Sequence, residues 1–237
     1  MSLDDGVVYC HHGHTQQDRA ELVSQVPLFA NLAPEVIFEL AGRVQPRDFN
    51  AKEMLYTAGS NNSSLLIVHH GKVKTYRISE SGHEQVLRVL GPGDFLGENT
   101  LLAPNVMDHF AQTLETAEVC YLSGEDFKDY LLQYPEVSYQ MLSALSSRLG
   151  QTESQVSTMG GDSVDKRVAQ YLLATAQEKG TNALRLAMSK KDLASFLGVT
   201  PETLSRKLSA FEQSGWISLK GQREVTVLDP LALESVA

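Results

Sequence analysis

A chain of 237 residues, 42% of them hydrophobic, has room for one large domain or two modest ones. No stretch approaches the ~18 consecutive apolar residues of a membrane span and no signal peptide is apparent, so no membrane partner is expected. Two cysteines fit a reducing, cytoplasmic compartment. The formal net charge of −9 argues against a nucleic-acid binder until it is divided along the chain. Residues 1–163 hold 10 Lys+Arg against 21 Asp+Glu, a balance of −11, whereas residues 164–237 hold 10 against 8, a balance of +2. Within 185–223 there are seven basic residues (Arg185, Lys190, Lys191, Arg206, Lys207, Lys220 and Arg223) and three acidic ones. A positive surface for a phosphate backbone is therefore concentrated near the C-terminus.

In chain order, residues 1–20 are polar, rich in histidine and without periodicity, and are expected to form a flexible arm. This arm holds Cys10, His11, His12 and His14, thiol and imidazole groups that suit zinc, copper or iron. A bound metal ion or haem is one expectation and a solvated tail is the other. A short helix is expected over Ala33 to Gly42. Within a first domain over 21–134 the chain is strand-like from about Phe49 to Leu122, with β-prone runs at Leu65–Val68, Lys72–Ile78, Gln85–Leu90 and Glu118–Leu122. Glycines punctuate these runs, and short strands with glycine corners suggest a small antiparallel barrel or jelly roll.

Ser123-Gly124-Glu125-Asp126 has capping-box spacing and opens a short helix ending near Tyr134. A longer helix is expected over 135–160. Its apolar residues Val137, Met141, Leu145, Leu149, Val156 and Met159 suit a contact between two helices, so a homodimer is expected. Packing on the chain's own barrel is the alternative. Gly160-Gly161-Asp162 reads as a hinge into a last domain over 161–237, opened by a helix at 164–180.

The segment Lys190–Gln213 carries the most chemistry. Ser189 and Asp192 have capping-box spacing, Leu193, Ala194 and Leu197 form an inward stripe, and Gly198 ends the helix. Thr200 caps a second helix with Pro201 at its first position, where a missing N–H costs nothing. Leu204, Leu208 and Phe211 face inward, and Glu202, Ser205 and Arg206 face outward at the helix start. A strand from Ser214 to Leu219, a basic turn Lys220-Gly221-Gln222-Arg223 and a second strand Glu224–Leu228 follow. A helix-turn-helix followed by a basic hairpin is a winged helix-turn-helix. Such a motif sets its second helix in the major groove of double-stranded DNA.

Together these parts resemble the CRP/FNR family of bacterial regulators over nearly the whole chain. Gly91-Pro92-Gly93-Asp94-Phe95-Leu96-Gly97-Glu98 is similar to that family's barrel signature, and Phe110–Cys120 and Val199–Arg206 are most similar to the FNR branch. The resemblance implies an α+β fold: an antiparallel β-roll of the cyclic-nucleotide-binding type, a long dimerisation helix and a C-terminal winged helix-turn-helix. It implies base readout by Glu202, Ser205 and Arg206 on a palindrome of TTGAT-like half-sites. Arginine can bond guanine O6 and N7, and glutamate can accept from a cytosine amino group. Phosphate contacts are expected from Thr200, Thr203, Lys190, Lys191, Lys207, Lys220 and Arg223. The resemblance also implies RNA polymerase as a partner of the turn from Ser79 to Gln85, with a plain solvent-exposed hairpin turn as the alternative.

The input is less specific. The cyclic-nucleotide branch uses an arginine and a Ser or Thr about ten residues beyond the barrel glutamate. Asn105-Val106-Met107-Asp108-His109-Phe110 lacks the arginine, so cyclic AMP is not expected. A [4Fe–4S] cluster needs four cysteines, and this chain has Cys10 and Cys120. A reversible Cys10–Cys120 disulfide is the leading expectation, a metal-binding arm the next and an effector-independent DNA binder the third. No enzyme is expected: no triad, phosphate loop or paired carboxylates are present, and His69-His70 lacks the His-x-His spacing of a cupin.

Overall fold

The computed structural model describes residues 15–80, 82–103 and 105–237, apart from the side chains of 151 and 154–161. It opens on α1 (Gln16–Ser24), which overturns part of the expected flexible arm. The Thr15 hydroxyl accepts the Asp18 N–H, and the Asp18 carboxylate accepts the Thr15 N–H at 2.7 Å. Ala20 and Val23 enter the main core, so order reaches at least to Thr15. Thr15 and Asp18 already stand at capping-box spacing in the sequence, the one signal that could have shown this helix.

After α2 (Pro34–Arg43) come β1 (Gln45–Phe49), β2 (Met54–Tyr56), β3 (Ser64–His70), β4 (Val73–Ile78), β5 (Glu84–Leu90) and β6 (Phe95–Leu96). Next are α3 (Glu98–Leu102), β7 (Phe110–Thr113) and β8 (Ala117–Ser123). Two antiparallel sheets, in the orders β1-β8-β3-β6 and β2-β7-β4-β5, make the expected roll. Strands β1, β2, β6 and β7 were not apparent in the sequence. They are short, and β1 (QPRDF) lies at an edge, where no apolar alternation is required.

The apolar run Leu65-Leu66-Ile67-Val68 on β3 is buried on both faces. Leu66 and Val68 meet Val73, Leu90, Ala111 and Val119 between the sheets. Leu65 and Ile67 meet Phe29, Leu40, Phe127 and Met141 in a helical layer built from α1, α2, α4 (Gly124–Gln133) and α5 (Pro135–Gly161). Alternating side chains on a strand covered twice give a continuous hydrophobic run.

Helix α5 corrects the expected dimer stripe. Val137 and Met141 are buried in the chain's own core and Leu145 is partly buried against it, whereas Leu149 is 61% exposed. The side chains of Val156 and Met159 lie outside the described residues. The helix continues through Gly160 and Gly161, so the break falls on Asp162 and Ser163.

The last domain holds α6 (Val164–Lys179), β9 (Ala183–Arg185), α7 (Lys190–Phe196), α8 (Pro201–Gln213), β10 (Ile217–Lys220), β11 (Glu224–Val227) and α9 (Pro230–Glu234). Its separate core gathers Leu172, Leu193, Leu204, Leu208, Phe211 and Val225. The wing has three strands, because β9 adds to the far edge of β11.

One corner of the roll depends on glycine for two reasons at once. Gly71 has φ +80, and a Cβ there would lie 2.3 Å from the Thr116 carbonyl oxygen. Gly59 has φ +82 with nothing within 4 Å of such a Cβ. Gly59→Ala is expected to cost roughly 1–2 kcal/mol from the left-handed backbone alone. Gly71→Ala should cost about 1–3 kcal/mol more from the clash. Urea unfolding of the two variants checks this, and equal midpoints would contradict it.

Candidate nucleic-acid interface and roll pocket

Local capping sets the two helices of the reading motif. The Ser189 hydroxyl accepts the Asp192 N–H at 3.1 Å and donates to the Asp192 carboxylate at 2.6 Å. Helix α7 ends at Leu197, whose carbonyl accepts from Arg167 Nη1 of α6 at 2.5 Å, and the chain turns through Gly198 at φ +66. Thr200 Oγ1 then accepts the Thr203 N–H at 3.2 Å, with Pro201 at the first position of α8. At the other end of α8, Glu212 Oε1 accepts the Leu219 N–H of the wing at 2.8 Å. Helix and wing are thereby held as one surface.

On α8, Leu204, Leu208 and Phe211 are buried, while Glu202, Ser205 and Arg206 are exposed. The backbone amide of Glu202 and the Thr200 hydroxyl hold the Glu202 carboxyl below its ordinary range, so it is an ionised acceptor. Arg206 has no ion-pair partner among the described residues. This places a free five-donor fork beside an acceptor and a hydroxyl on one exposed helix face.

The expected phosphate contacts divide. Lys191 and Lys220 are exposed, Lys190, Thr203 and Arg223 are partly buried, and none of the four cations has an ion-pair partner among the described residues. Thr200 is exposed, although its hydroxyl already serves as the helix cap. Lys207 differs from these four: its ammonium sits 2.7 Å from Asp165 of α6. It lies three residues after Leu204 and four before Phe211, within the inward stripe, so its side chain is drawn along the helix-helix contact.

Two family models cover most of the chain. Residues 166–236 match the Crp-like helix-turn-helix domain, and residues 46–134 match the cyclic nucleotide-binding domain. A relative described as "Probable transcriptional regulator flp" from Lacticaseibacillus casei is 35% identical, covering 90% of this chain and 96% of its own. The chain belongs to the CRP/FNR family of transcriptional regulators. It is also similar to the "CRP-like cAMP-activated global transcriptional regulator" of Mycobacterium tuberculosis, at 30% identity over 85% of this chain and 92% of the other. The solved structure of FixK2 from Bradyrhizobium japonicum shares the fold, with a TM-score of 0.73 at 21% identity over 81% and 96% of the two chains. As members of this family do, the regulator binds double-stranded DNA and is not an enzyme. Among the described residues, no helix is long and apolar enough to cross a membrane.

The regulator's roll has its own polar cluster. Glu98 is 7% exposed; its Oε1 accepts from Arg148 of α5 at 2.9 Å and lies 3.8 Å from Arg88, while its Oε2 has no hydrogen-bond partner among the described residues. Arg148 stacks its guanidinium 3.7 Å from the Phe95 ring centroid and donates to the Phe95 carbonyl at 2.8 Å. Burial, and then the charge of Arg88, push its pKa down. Nearby, the Tyr56 hydroxyl lies 2.6 Å from His109 Nε2, His109 Nδ1 lies 2.7 Å from Asp108, and Asp108 also takes Arg77. Burial works against the Asp108 charge, but His109 and Arg77 hold its pKa below the ordinary value. Asp108 is thus an ionised carboxylate held between Arg77 and His109.

Cys120 is buried on the helical side of β8, in one cluster with Ala20 and Val23. Burial, and then the charge of Glu118, push its thiol up to about 12. The protonated thiol is therefore favoured over the reactive thiolate in this buried position. Cys10, His11, His12 and His14 lie outside the described residues. Among the described residues no group of three or more His, Cys, Asp or Glu is placed to hold a metal ion.

Lys220→Ala should weaken binding to any DNA sequence and reduce the slope of log affinity against log salt by about one. Lys207→Ala, which removes a cation already paired with Asp165, should leave that slope nearly unchanged. Salt titrations of both variants decide the matter, and equal losses of slope would reject the assignment.

Proposed function

We propose that the regulator binds DNA as a homodimer on a palindrome of TTGAT-like half-sites. Glu202, Ser205 and Arg206 read base edges, and Lys190, Lys191, Lys220 and Arg223 contact phosphates. The observation that supports this most directly is the exposed, ionised Glu202 beside an Arg206 with no ion-pair partner among the described residues, at the start of a doubly capped helix. A helix-turn-helix dimer reads half-sites ~34 Å apart, so a second copy completes the site.

The face of α5 that the roll leaves uncovered supports the dimer. Tyr139, Leu142 and Leu149 are 70%, 66% and 61% exposed. They lie along one side of the helix, and the seven-residue spacing from Leu142 to Leu149 continues in the sequence to Val156. A seam offset from the buried Val137 and Met141 lets one helix serve its own roll and a partner's helix together. Redox control through Cys10 and Cys120 is not part of the proposal, since the buried, protonated Cys120 offers little thiolate in this conformation.

Arg206→Ala should lose about 1–3 kcal/mol per guanine contact, a drop in palindrome affinity of roughly 5- to 150-fold, with weaker effects on mixed-sequence DNA. An electrophoretic mobility assay reads this directly, and undiminished palindrome binding would sink the base-readout assignment. Leu142→Asp should sediment as a monomer while its circular dichroism stays native. A variant that remains a dimer would reject the seam.

A further inference from the structure

The helical layer of the roll holds a buried polar group that the DNA-binding surface does not use. Tyr130 of α4 is 3% exposed, and its hydroxyl has no hydrogen-bond partner among the described residues. A buried polar atom without a partner costs free energy comparable to a lost hydrogen bond, so such atoms are few and each needs a reason. The ring is held on both sides: Tyr134 stacks on it at 5.5 Å between centroids, and the Arg43 guanidinium of α2 lies 5.8 Å from its centroid. Burial, and then the charge of Glu39, push the phenol up to about 12, so it stays protonated at neutral pH. Its donor and its acceptor lone pairs are both unused.

Tyr130 lines a cavity of about 300 Å³ between α2 and α4, together with Glu39, Arg43, Asp129, Leu132 and Gln133. Arg43 ties the two helices together. Its Nη1 donates to Asp126 of α4 at 2.6 Å, and its Nη2 donates to Glu39 of its own helix at 2.9 Å. With Arg43 so engaged, the surroundings are acidic. Helices α2 and α4 carry Glu35, Glu39, Glu125, Asp126 and Asp129 against Arg43 and Lys128. Asp129 is exposed and has no ion-pair partner among the described residues. Helical phase explains the arrangement: Phe127 and Tyr130 turn into the core, while Asp129, Leu132 and Gln133 share the outward face. Leu132 is 85% exposed, the most exposed large apolar side chain among the described residues.

A small cavity, an exposed leucine and a polar rim together have the anatomy of a protein contact point, where one anchor fills a pocket and its surroundings exclude water. The excess of carboxylates selects a cation and repels a DNA phosphate. We propose that this cleft docks a partner protein through a segment that presents an arginine beside an apolar residue. The guanidinium enters the cavity, donates to the Tyr130 hydroxyl oxygen and pairs with Asp129, which its planar fork can do together. The apolar neighbour covers Leu132. The docking site depends neither on the half-site sequence nor on the α5 seam.

The probe is the peptide acetyl-Leu-Arg-Leu-amide, with acetyl-Leu-citrulline-Leu-amide as the uncharged control and spermidine as a cation without apolar neighbours. Titration of the full-length protein, followed by the backbone amide resonances of α2 and α4, should show the arginine peptide shifting signals around Tyr130 and Leu132. Tyr130→Phe should weaken that peptide roughly tenfold. Because the change removes a buried hydroxyl that has no partner, the urea midpoint should not fall, which separates a hydroxyl kept for a ligand from one kept for the fold. Asp129→Asn, at an exposed position, should weaken the peptide roughly two- to fivefold at low salt and serves where Tyr130→Phe fails to fold. The docking site is overturned if the arginine peptide shifts no α4 resonance, if the citrulline peptide binds as tightly, or if the folded variants bind like the wild type. Spermidine binding as tightly as the arginine peptide, with neither affected by Leu132→Ser, would overturn the protein partner in favour of a small-cation site.

Discussion

Strands β3 and β8 lie inside their sheet with both faces covered, and the placement of much of the molecule follows from burying them. Side chains alternate across a strand, so Leu66 and Val68 are covered by the facing sheet while Leu65 and Ile67 require a separate layer of helices. Helices α1, α2, α4 and α5 supply that layer. Helix α5 is therefore committed on one side to the roll through Val137 and Met141, and its Arg148 reaches the buried Glu98. What it leaves exposed is the opposite side, with Tyr139, Leu142 and Leu149. One helix thus carries both a face committed to the roll and an uncovered apolar face.

Charge is the second organising constraint. The acidic roll and the basic reading domain attract one another for the same reason that the reading domain attracts DNA. Lys74 sharpens that general attraction into a defined contact. It is a cation supplied by the acidic body, and it selects an acid of the reading motif, Asp192, whose other oxygen is engaged by the cap residue Ser189. The same side chain thereby stabilises α7 locally and anchors it to another domain. Ser195 adds direction, because its hydroxyl fits an N–H and a C=O on an edge strand where a neighbouring strand would otherwise pair.

The parts legible in the sequence were those governed by neighbours a few residues apart. Ser123, Ser189 and Thr200 each cap the helix that their spacing indicated, and Gly198 takes the left-handed conformation just beyond its helix end. The exposed trio Glu202, Ser205 and Arg206 also follows from local phase. The pairing of Lys207 with Asp165 follows from its phase, in line with Leu204 and Phe211, and from what α6 places opposite it. Helix α1 was missed because its sequence QQDRAELVS has little apolar periodicity. Strand β1 was missed because QPRDF becomes a strand through pairing with β8.

The sequence by itself determined the family, the two-helix reading motif and its basic wing, because caps, turns and helical phase depend on short-range chemistry. Tertiary structure alone decided which face of α5 remains uncovered, since Val137 and Leu149 look alike until the roll covers one of them. It also decided that Cys120 is a protonated core residue. Lastly, it decided that Lys74 meets Asp192 and Val86 meets Ser195 across two domains, each pair more than a hundred residues apart in the chain. Burial and long-range pairing depend on what lies opposite a side chain in space, and no spacing along the chain encodes that.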